Sequence, residues 1–119
     1  MKKEACISSK EFTMCPYVTA QRLLSGKWTI LILQKLCEGP MRFNQLLKEI
    51  DVTQTTLTTQ LKQMESDGLI TRTVFAEVPV RVEYSLTEMG EAFGPVLDAL
   101  KVWGDLYIEH LKQDPDSAM

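Results

Sequence analysis

A stretch of hydroxyl, amide and ammonium side chains carries the most distinctive chemistry in this sequence. Threonine occupies five of the seven positions from 53 to 59, Gln54 lies among them, and Lys62 follows. Glutamine can hydrogen-bond adenine through two atoms, while threonine can donate, accept or place its methyl group against thymine. After position 53 no carboxylate occurs before Glu65, so the stretch itself does not repel phosphate. Its composition therefore indicates contact with DNA.

The alternative is an ordinary solvated helix, because polar residues cover one side of most surface helices. Threonine in an exposed helix costs up to about 0.7 kcal/mol relative to alanine, so this stretch opposes local propensity. Departures of this kind tend to mark functional surfaces. Helix N-termini also bind phosphate, which suits the hydroxyls of Thr53 and Thr55. The residues that we expect to face DNA are Thr53, Gln54, Thr55, Thr58, Thr59 and Lys62.

Three arginines outside this stretch are candidates for contacts with the DNA backbone. Arg42 precedes the first of two paired helices, and Arg72 and Arg81 lie on a predicted hairpin. Arginine is favoured both at phosphates and in a narrow minor groove. The alternative is pairing with Glu77 or Glu83 on the same hairpin. The sequence leaves both interpretations open.

The elements that must position these residues follow from the spacing of apolar side chains. Apolar residues at i, i+3, i+4 and i+7 predict a helix over residues 43–50. Thr53 is a good N-cap for a second helix, which ends near Asp67. The tight turn between the two makes a helix-turn-helix over residues 43–67. The second helix of such a unit enters the major groove of DNA.

A change in the apolar period from 3.6 to two after Gly68 predicts a β-hairpin. One strand is expected over residues 69–75 and another over 81–86, joined by a tip at 76–80. A hairpin after a helix-turn-helix is typical of a wing, here residues 69–86, which lies on the DNA backbone or reaches the minor groove. The sequence thus predicts an α+β, mainly helical fold, a winged helix-turn-helix with a long C-terminal dimerisation helix.

The final helix, predicted over residues 88–113, is more apolar than a monomer of this size needs. Thr87 caps it, and Pro95 is expected to bend it or divide off its first turns. A homodimer would bury the surplus, although packing against the chain's own first helix takes part of it. Two-fold symmetry places two DNA-facing helices about 34 Å apart, matching an inverted-repeat operator. The expected interface residues are Phe93, Val96, Leu97, Leu100, Trp103 and Tyr107.

Composition and charge allow one globular domain, residues 1–119, with 1–16 as an N-terminal arm. Hydrophobic residues are 45% and charged residues 24% of the chain. Mean hydropathy is −0.09, and no apolar run reaches the roughly 18 residues of a membrane helix. The net charge of −3 is divided unevenly. Residues 1–75 carry ten Lys or Arg against seven Asp or Glu, and residues 76–119 carry three against nine. A basic front half can bind phosphate despite the acidic total.

Catalytic and metal-binding motifs are not recognisable. His110 is the only histidine, and no Ser-His-Asp set, phosphate-binding glycine loop or cluster of zinc ligands can be assembled. We therefore expect no enzymatic activity, no metal and no cofactor. A winged helix used only for protein contacts is an alternative, but it would need an apolar or acidic face at residues 54–62. An odd number of cysteines and the lack of a signal peptide favour the cytoplasm, with nucleoid association when DNA is bound, and no membrane.

Several short motifs together resemble those of one family of bacterial regulators. They are Cys15-Pro16, Gly26-Lys27-Trp28, Arg42-Phe43-Asn44-Gln45-Leu46, Gly68-Leu69-Ile70, Val78-Pro79, Arg81-Val82-Glu83-Tyr84-Ser85-Leu86-Thr87 and Trp103-Gly104. The chain is identified on these motifs as a member of the HxlR-type, MarR-like winged helix-turn-helix transcriptional regulators. The resemblance implies a DNA-binding homodimer that controls transcription, often of nearby genes that answer electrophile or oxidant stress. Ser25 and Val80 stand where the family often has a glycine and a proline.

Some members of this family sense electrophiles or oxidants through a cysteine near the N-terminus, and Cys6 and Cys15 are the candidates by position. Cys15 precedes Pro16 at a predicted helix start, where the helix dipole can lower a thiol pKa. The alternative is a small packing residue without reactivity. Cys37 lies at the end of the apolar helix predicted over residues 28–36, and we expect it in the core. The expected partners are double-stranded DNA, a second copy of the chain and a small electrophile or oxidant as inducer.

Overall fold

The computed structural model describes residues 14–113, so most of the predicted arm lies outside it. The elements in chain order are α1 (Pro16–Leu23), α2 (Thr29–Leu36), β1 (Met41–Arg42), α3 (Phe43–Glu49), α4 (Gln54–Ser66), β2 (Ile70–Phe75), β3 (Arg81–Leu86), α5 (Glu88–Glu91) and α6 (Gly94–Gln113). This order confirms the mainly helical α+β fold, in which α3 and α4 form the helix pair and β2 and β3 the wing.

One apolar core holds the helix pair. Leu57, Leu61 and Met64 of α4 are buried, as their spacing predicts, and Leu46 of α3 packs in the same cluster. The residues that α2 contributes are Ile32, Leu33 and Leu36. Burying one such side chain contributes about 1.5–3 kcal/mol relative to leaving it in water. The orientation of α4 is therefore set by its leucine side, and its other side is left to solvent.

A three-stranded antiparallel sheet in the order β1-β3-β2 supports the wing. β2 and β3 pair along their whole length, from Ile70 opposite Leu86 to Phe75 opposite Arg81. β1 pairs Met41 with Tyr84, so the link before α3 is tied to the wing. Gly68 has a φ of 81°, which lets the chain turn from α4 directly into β2.

α2 is less buried than its apolar sequence predicts. Its core-facing residues occupy one side, so Ile30 and Leu31 on the other are 37% and 44% exposed. Cys37, predicted to lie in the core, is exposed as well, which corrects that expectation. The reason is its place at the C-cap of α2, beyond the last core residue. These three residues line one wall of a groove whose other wall is the N-terminal half of α6.

The C-terminal segment consists of two helices. Thr87 caps α5, and its Oγ1 accepts a 3.0 Å hydrogen bond from the backbone N–H of Gly90. α6 begins at Gly94, and Pro95 is its second residue, so the proline separates the first turns as predicted. α6 contains no buried residue. Within residues 14–113, no helix combines the length and apolarity that crossing a bilayer requires.

Candidate nucleic-acid interface

α4 begins with the N-cap that the sequence predicts. Thr53 Oγ1 accepts a 3.2 Å hydrogen bond from the backbone N–H of Thr56 and donates to Thr56 Oγ1 at 2.9 Å. Such a cap is typically worth about 1 kcal/mol. The first turn of α4 contains no acidic residue, so no carboxylate there neutralises the positive end of the helix dipole. The start of α4 is electrostatically suited to an anion.

The predicted DNA-facing residues of α4 share one exposed face. Gln54, Thr58 and Lys62 lie on successive turns, and Thr55 and Thr59 lie beside them. At 100° per residue the five span an arc of about 140°. All five are exposed. The buried apolar residues of α4 lie outside this arc, farthest from Thr55 and Thr59 and nearest to Gln54. The structure therefore brings this part of the predicted site together.

Hydrogen bonds within the helix limit what each of these side chains can offer. Thr58 Oγ1 donates to the backbone carbonyl of Gln54 at 2.9 Å, so toward a ligand it presents lone pairs and its methyl group. The amide of Gln54 and the side chains of Thr55, Thr59 and Lys62 have no partner among the residues that the structure describes. Those four remain available to a ligand.

Gln60 is the polar residue of this stretch that turns inward. Its Nε2 donates a 3.0 Å hydrogen bond to Oγ1 of Thr29, a buried residue of α2. A Cβ added to Gly26 would lie 2.6 Å from both side chains, so the glycine leaves the room that this bond needs. The sequence analysis missed these positioning residues. The available signal was the helical position of Gln60, which falls beside Leu57 and Met64.

Arg42 is the last residue of β1 and the N-cap of α3. Its backbone N–H donates to Gln45 Oε1 at 2.9 Å, and its side chain is exposed. Lys35 of α2 pairs with Glu49 at 3.2 Å and so joins the end of α3 to α2. Exposed ion pairs contribute little to stability, about 0–1 kcal/mol.

The two wing arginines have different surroundings. Arg72 is exposed on β2, opposite Tyr84. Arg81 adopts the alternative that the sequence left open, because its guanidinium pairs with Glu77 at 2.9 Å and also with Glu83. The hydrogen bond from Arg81 is the main cause that lowers the pKa of Glu77. Loss of hydration opposes it, and the charges of Arg81 and Arg42 each add a smaller lowering effect. For Arg81, the expected contact with DNA stays a prediction.

Of the two candidate sensor cysteines, the structure describes one. Cys6 lies outside the described residues. Cys15 is only 4% exposed and stands at the N-cap of α1, without a side-chain capping bond. Its predicted place at a helix start is confirmed, and its burial in a single chain restricts access by an oxidant. Of the two cysteines among residues 14–113, Cys37 is the one with an exposed thiol.

The expected interface residues, which lie in α6 except for Phe93 just before it, divide into two groups. Phe93 and Leu97 pack partly against the chain's own core. Trp103 and Tyr107 are largely exposed, and their stacked rings have centroids 6.1 Å apart. Of the other two expected residues, Val96 is exposed and Leu100 is half-buried. Three further exposed apolar residues of α6, which the sequence analysis did not select, are Val102, Leu106 and Ile108.

Titratable clusters are sparse in residues 14–113. This part of the chain contains no group of three or more His, Cys, Asp or Glu placed to hold a metal ion. His110 lies against Tyr107, with ring centroids 5.8 Å apart. Nothing in these surroundings links the histidine to a nucleophile.

Comparison with known proteins gives a consistent result. Residues 23–112 match the HxlR-like helix-turn-helix family. The HTH-type transcriptional regulator YdeP of Bacillus subtilis (strain 168) is 42% identical over 105 residues, which cover 87% of this chain and 82% of YdeP. The redox regulator HypR in its reduced form has a TM-score of 0.77 at 34% identity, covering 82% of this chain and 98% of HypR. The reduced transcriptional regulator YodB from B. subtilis has a TM-score of 0.70 at 37% identity, covering 77% of this chain and 92% of YodB.

Proposed function

The chain belongs to the HxlR-like helix-turn-helix family of transcriptional regulators, and from this premise we propose that it binds a specific inverted-repeat DNA operator as a homodimer. The observation that carries the proposal is the exposed face of α4, where five polar side chains share one arc of the helix outside its buried leucines. Such a face fits the major groove, which is wide enough to admit a helix. The protein would then act where the DNA is, in the cytoplasm and on the nucleoid.

Within this face we assign base reading to Gln54 and Thr58. The unpaired amide of Gln54 can both donate to and accept from an adenine edge, and Thr58 offers its methyl group and lone pairs. Lys62 lies one turn beyond Thr58, where its ammonium can reach phosphate. Thr53, Thr55 and Thr59 would add backbone contacts at the rim of the groove. From outside α4, Arg42 and Arg72 would hold phosphates on either side.

Homodimerisation through α6 is supported by the amount of apolar surface that one chain leaves uncovered. Trp103 is 66% exposed although it is one of the largest side chains. The apolar residues of α6 extend over an arc of about 240°, roughly twice the stripe that one neighbouring helix covers. A second copy would bury Trp103 and Tyr107 together with Val96 and Leu100. Phe93 and Leu97 would contribute on the side where α6 meets its own core.

Control by thiol chemistry is the part of the proposal that rests most on relatives. HypR is named a redox regulator, and this chain carries Cys15 at the start of α1 and Cys6 before it. A small electrophile or oxidant reaching either thiol would act as the inducer. Because Cys15 is buried, its reaction would require α1 to move. Movement of α1 would in turn disturb the neighbouring α2, against which α4 is fixed.

The DNA-binding proposal is tested by fluorescence anisotropy on DNA from upstream of the protein's own gene, repeated over a range of salt concentrations. We expect tighter binding to this DNA than to unrelated DNA. The affinity should fall as the salt concentration rises, because the protein releases cations from the DNA when it binds. No binding at micromolar protein, or an affinity independent of salt, would contradict the proposal. Gln54→Ala should change the preferred sequence, whereas Lys112→Ala, at the far end of α6, is the matched control and should change nothing.

The dimer and the sensor need separate measurements. Sedimentation should give a dimer for the native chain and a monomer for Trp103→Glu, with Lys112→Glu on the polar side of α6 as the control. A native chain that sediments as a monomer would contradict the dimer.

Diamide should release DNA from the native chain. It should not do so from the variant, Cys15→Ser or Cys6→Ser, in which the sensing cysteine has been replaced. A response that survives in the double variant would remove both cysteines from the proposal.

A further inference from the structure

Arg81, at the start of β3, is enclosed by its own hairpin. Its Nε and one terminal nitrogen donate to the two carboxylate oxygens of Glu77, at 3.2 and 2.9 Å. The other terminal nitrogen donates to Glu83 Oε2. The guanidinium plane also lies over the ring of Phe75, 3.8 Å from its centroid. Its donors are therefore directed at side chains of the wing, and its side chain is only 23% exposed.

The charge of the hairpin depends on this residue. The charged residues between positions 70 and 86 are Arg72, Glu77, Arg81 and Glu83, so the hairpin is neutral as a whole. Glu77 and Glu83 are the carboxylates nearest the wing tip, and both are paired with Arg81. Without Arg81 the hairpin would present two unpaired negative charges to a DNA backbone. Like charges brought together at an interface cost affinity.

The same cluster fixes the base of the tip. The backbone N–H of Glu77 donates to the carbonyl of Phe75 at 2.8 Å, which turns the chain out of β2. Beyond this turn Val78 is fully exposed and Val80 is 65% exposed. The part of the wing that projects farthest is thus apolar and uncharged, and the ionic cluster lies behind it.

We propose that Arg81 is a positioning residue, which neutralises Glu77 and Glu83 and holds the wing tip without donating to phosphate itself. The inference rests on the proposed DNA binding and gives another role to Arg81, which the sequence predicts to contact the DNA backbone. Arg72 supplies the contrast, because it is exposed on the neighbouring strand and is the wing arginine available to phosphate.

The test is a thermodynamic cycle read by DNA titration at several salt concentrations. Arg81→Ala is measured in the native background and in a Glu77→Gln, Glu83→Gln background. We expect a loss of about tenfold in the native background, where two carboxylates are left unpaired, and less than about twofold in the glutamine background. In the glutamine background the slope of log affinity against log salt should not change, because no phosphate contact is lost.

Arg72→Ala in the same two backgrounds is the matched control, and it should cost the same in both and lower the salt slope by about 0.9. If Arg81→Ala behaves like Arg72→Ala, Arg81 binds phosphate and the inference is wrong. If Arg81→Ala does not fold in the native background, Arg81→Ala and Arg72→Ala are compared in the glutamine background alone. That comparison still distinguishes a positioning role from a phosphate contact, because no carboxylate is left unpaired there. A native chain without salt-dependent DNA binding would instead contradict the proposed function itself.

Discussion

Gln60 of α4 donates a 3.0 Å hydrogen bond to Thr29 of α2, 31 residues earlier in the chain. Thr29 is 1% exposed and is the buried polar side chain of the described core. The apolar contacts of α4 are non-directional, and they fix which side of the helix is inside without defining its rotation closely. A directional bond between two helices supplies that definition. The angle at which the exposed face of α4 meets a ligand therefore depends on this pair.

Replacing Thr29 by valine, which has nearly the same shape, should lower the free energy of unfolding by about 1 kcal/mol, because the amide of Gln60 loses its partner. Thr29→Ser keeps the hydroxyl and should retain DNA affinity even though it loses a methyl group. Urea unfolding at fixed protein concentration and DNA titration measure the two effects. Equal DNA affinity for the serine and valine variants would show that the bond does not orient α4.

Gly26 and Gly90 differ in the atoms that the methyl group of an introduced alanine would contact. At Gly26 an added Cβ would lie 2.6 Å from the side chains of Gln60 and Thr29, and the flexible amide of Gln60 can move. At Gly90 it would lie 2.2 Å from the backbone carbonyl of Leu69, which is fixed in the turn before β2. We expect Gly90→Ala to cost about 2–3 kcal/mol and Gly26→Ala clearly less.

Thermal or urea unfolding of both glycine variants checks this order, and Gly94→Ala, whose Cβ would have nothing within 4 Å, is the control. Gly26→Ala should nevertheless weaken DNA binding, because it displaces the Gln60–Thr29 bond. A Gly26→Ala variant that is less stable than Gly90→Ala would contradict the steric argument.

The arrangement of elements was predictable from the sequence because it depends on local patterns. The apolar spacing of Leu57, Leu61 and Met64 gave the buried side of α4, and Thr53 and Thr87 gave two helix starts that the structure confirms. Pro95 gave the break between α5 and α6. Each of these signals acts within a few residues of the position that it determines.

The partners of individual side chains were not predictable, because they depend on tertiary placement. The helical position of Gln60 beside Leu57 and Met64 indicates that it turns inward, but Thr29 is 31 residues away and no local pattern identifies it as the partner. Arg81 could equally have faced solvent, since its pairing with Glu77 depends on how the tip is folded. Cys37 was placed in the core because α2 is apolar, but a residue at a helix end can leave the packed side.

Thr53 separates the stability of α4 from its affinity for DNA. Thr53→Ala removes the N-cap and should cost about 1 kcal/mol of unfolding free energy. Thr53→Asp keeps a capping oxygen and gains from the helix dipole, so it should restore stability. Its negative charge would repel phosphate, and DNA affinity should fall at least tenfold. An aspartate variant that is stable and binds DNA normally would place Thr53 away from the backbone.

Lys62 is expected to hold phosphate without reading sequence. Lys62→Ala should weaken binding to specific and unrelated DNA by the same factor and reduce the salt slope by about 0.9, because one fewer counterion is released. Competition titrations with an operator and with a mutated operator give both quantities. A change in the ratio of the two affinities would instead make Lys62 a base-reading residue.

Cys37 should react slowly at neutral pH although it is exposed. Partial burial, and then the negative charges of Asp98, Glu91 and Glu38, raise the pKa of its thiol. Lys101 lines the same groove, but it is paired with Asp105 at 2.9 Å, which limits its opposing effect. A raised pKa leaves less thiolate at pH 7, and the thiolate is the reactive form.

The test is alkylation of Cys37 by iodoacetamide in a Cys6→Ser, Cys15→Ser background. The rate should rise only at a higher pH than it does for a thiol of ordinary pKa. Asp98→Asn removes a negative charge, lowers the pKa and should shift the same profile to lower pH. An unshifted profile in this variant would show that Asp98 does not act on the thiol.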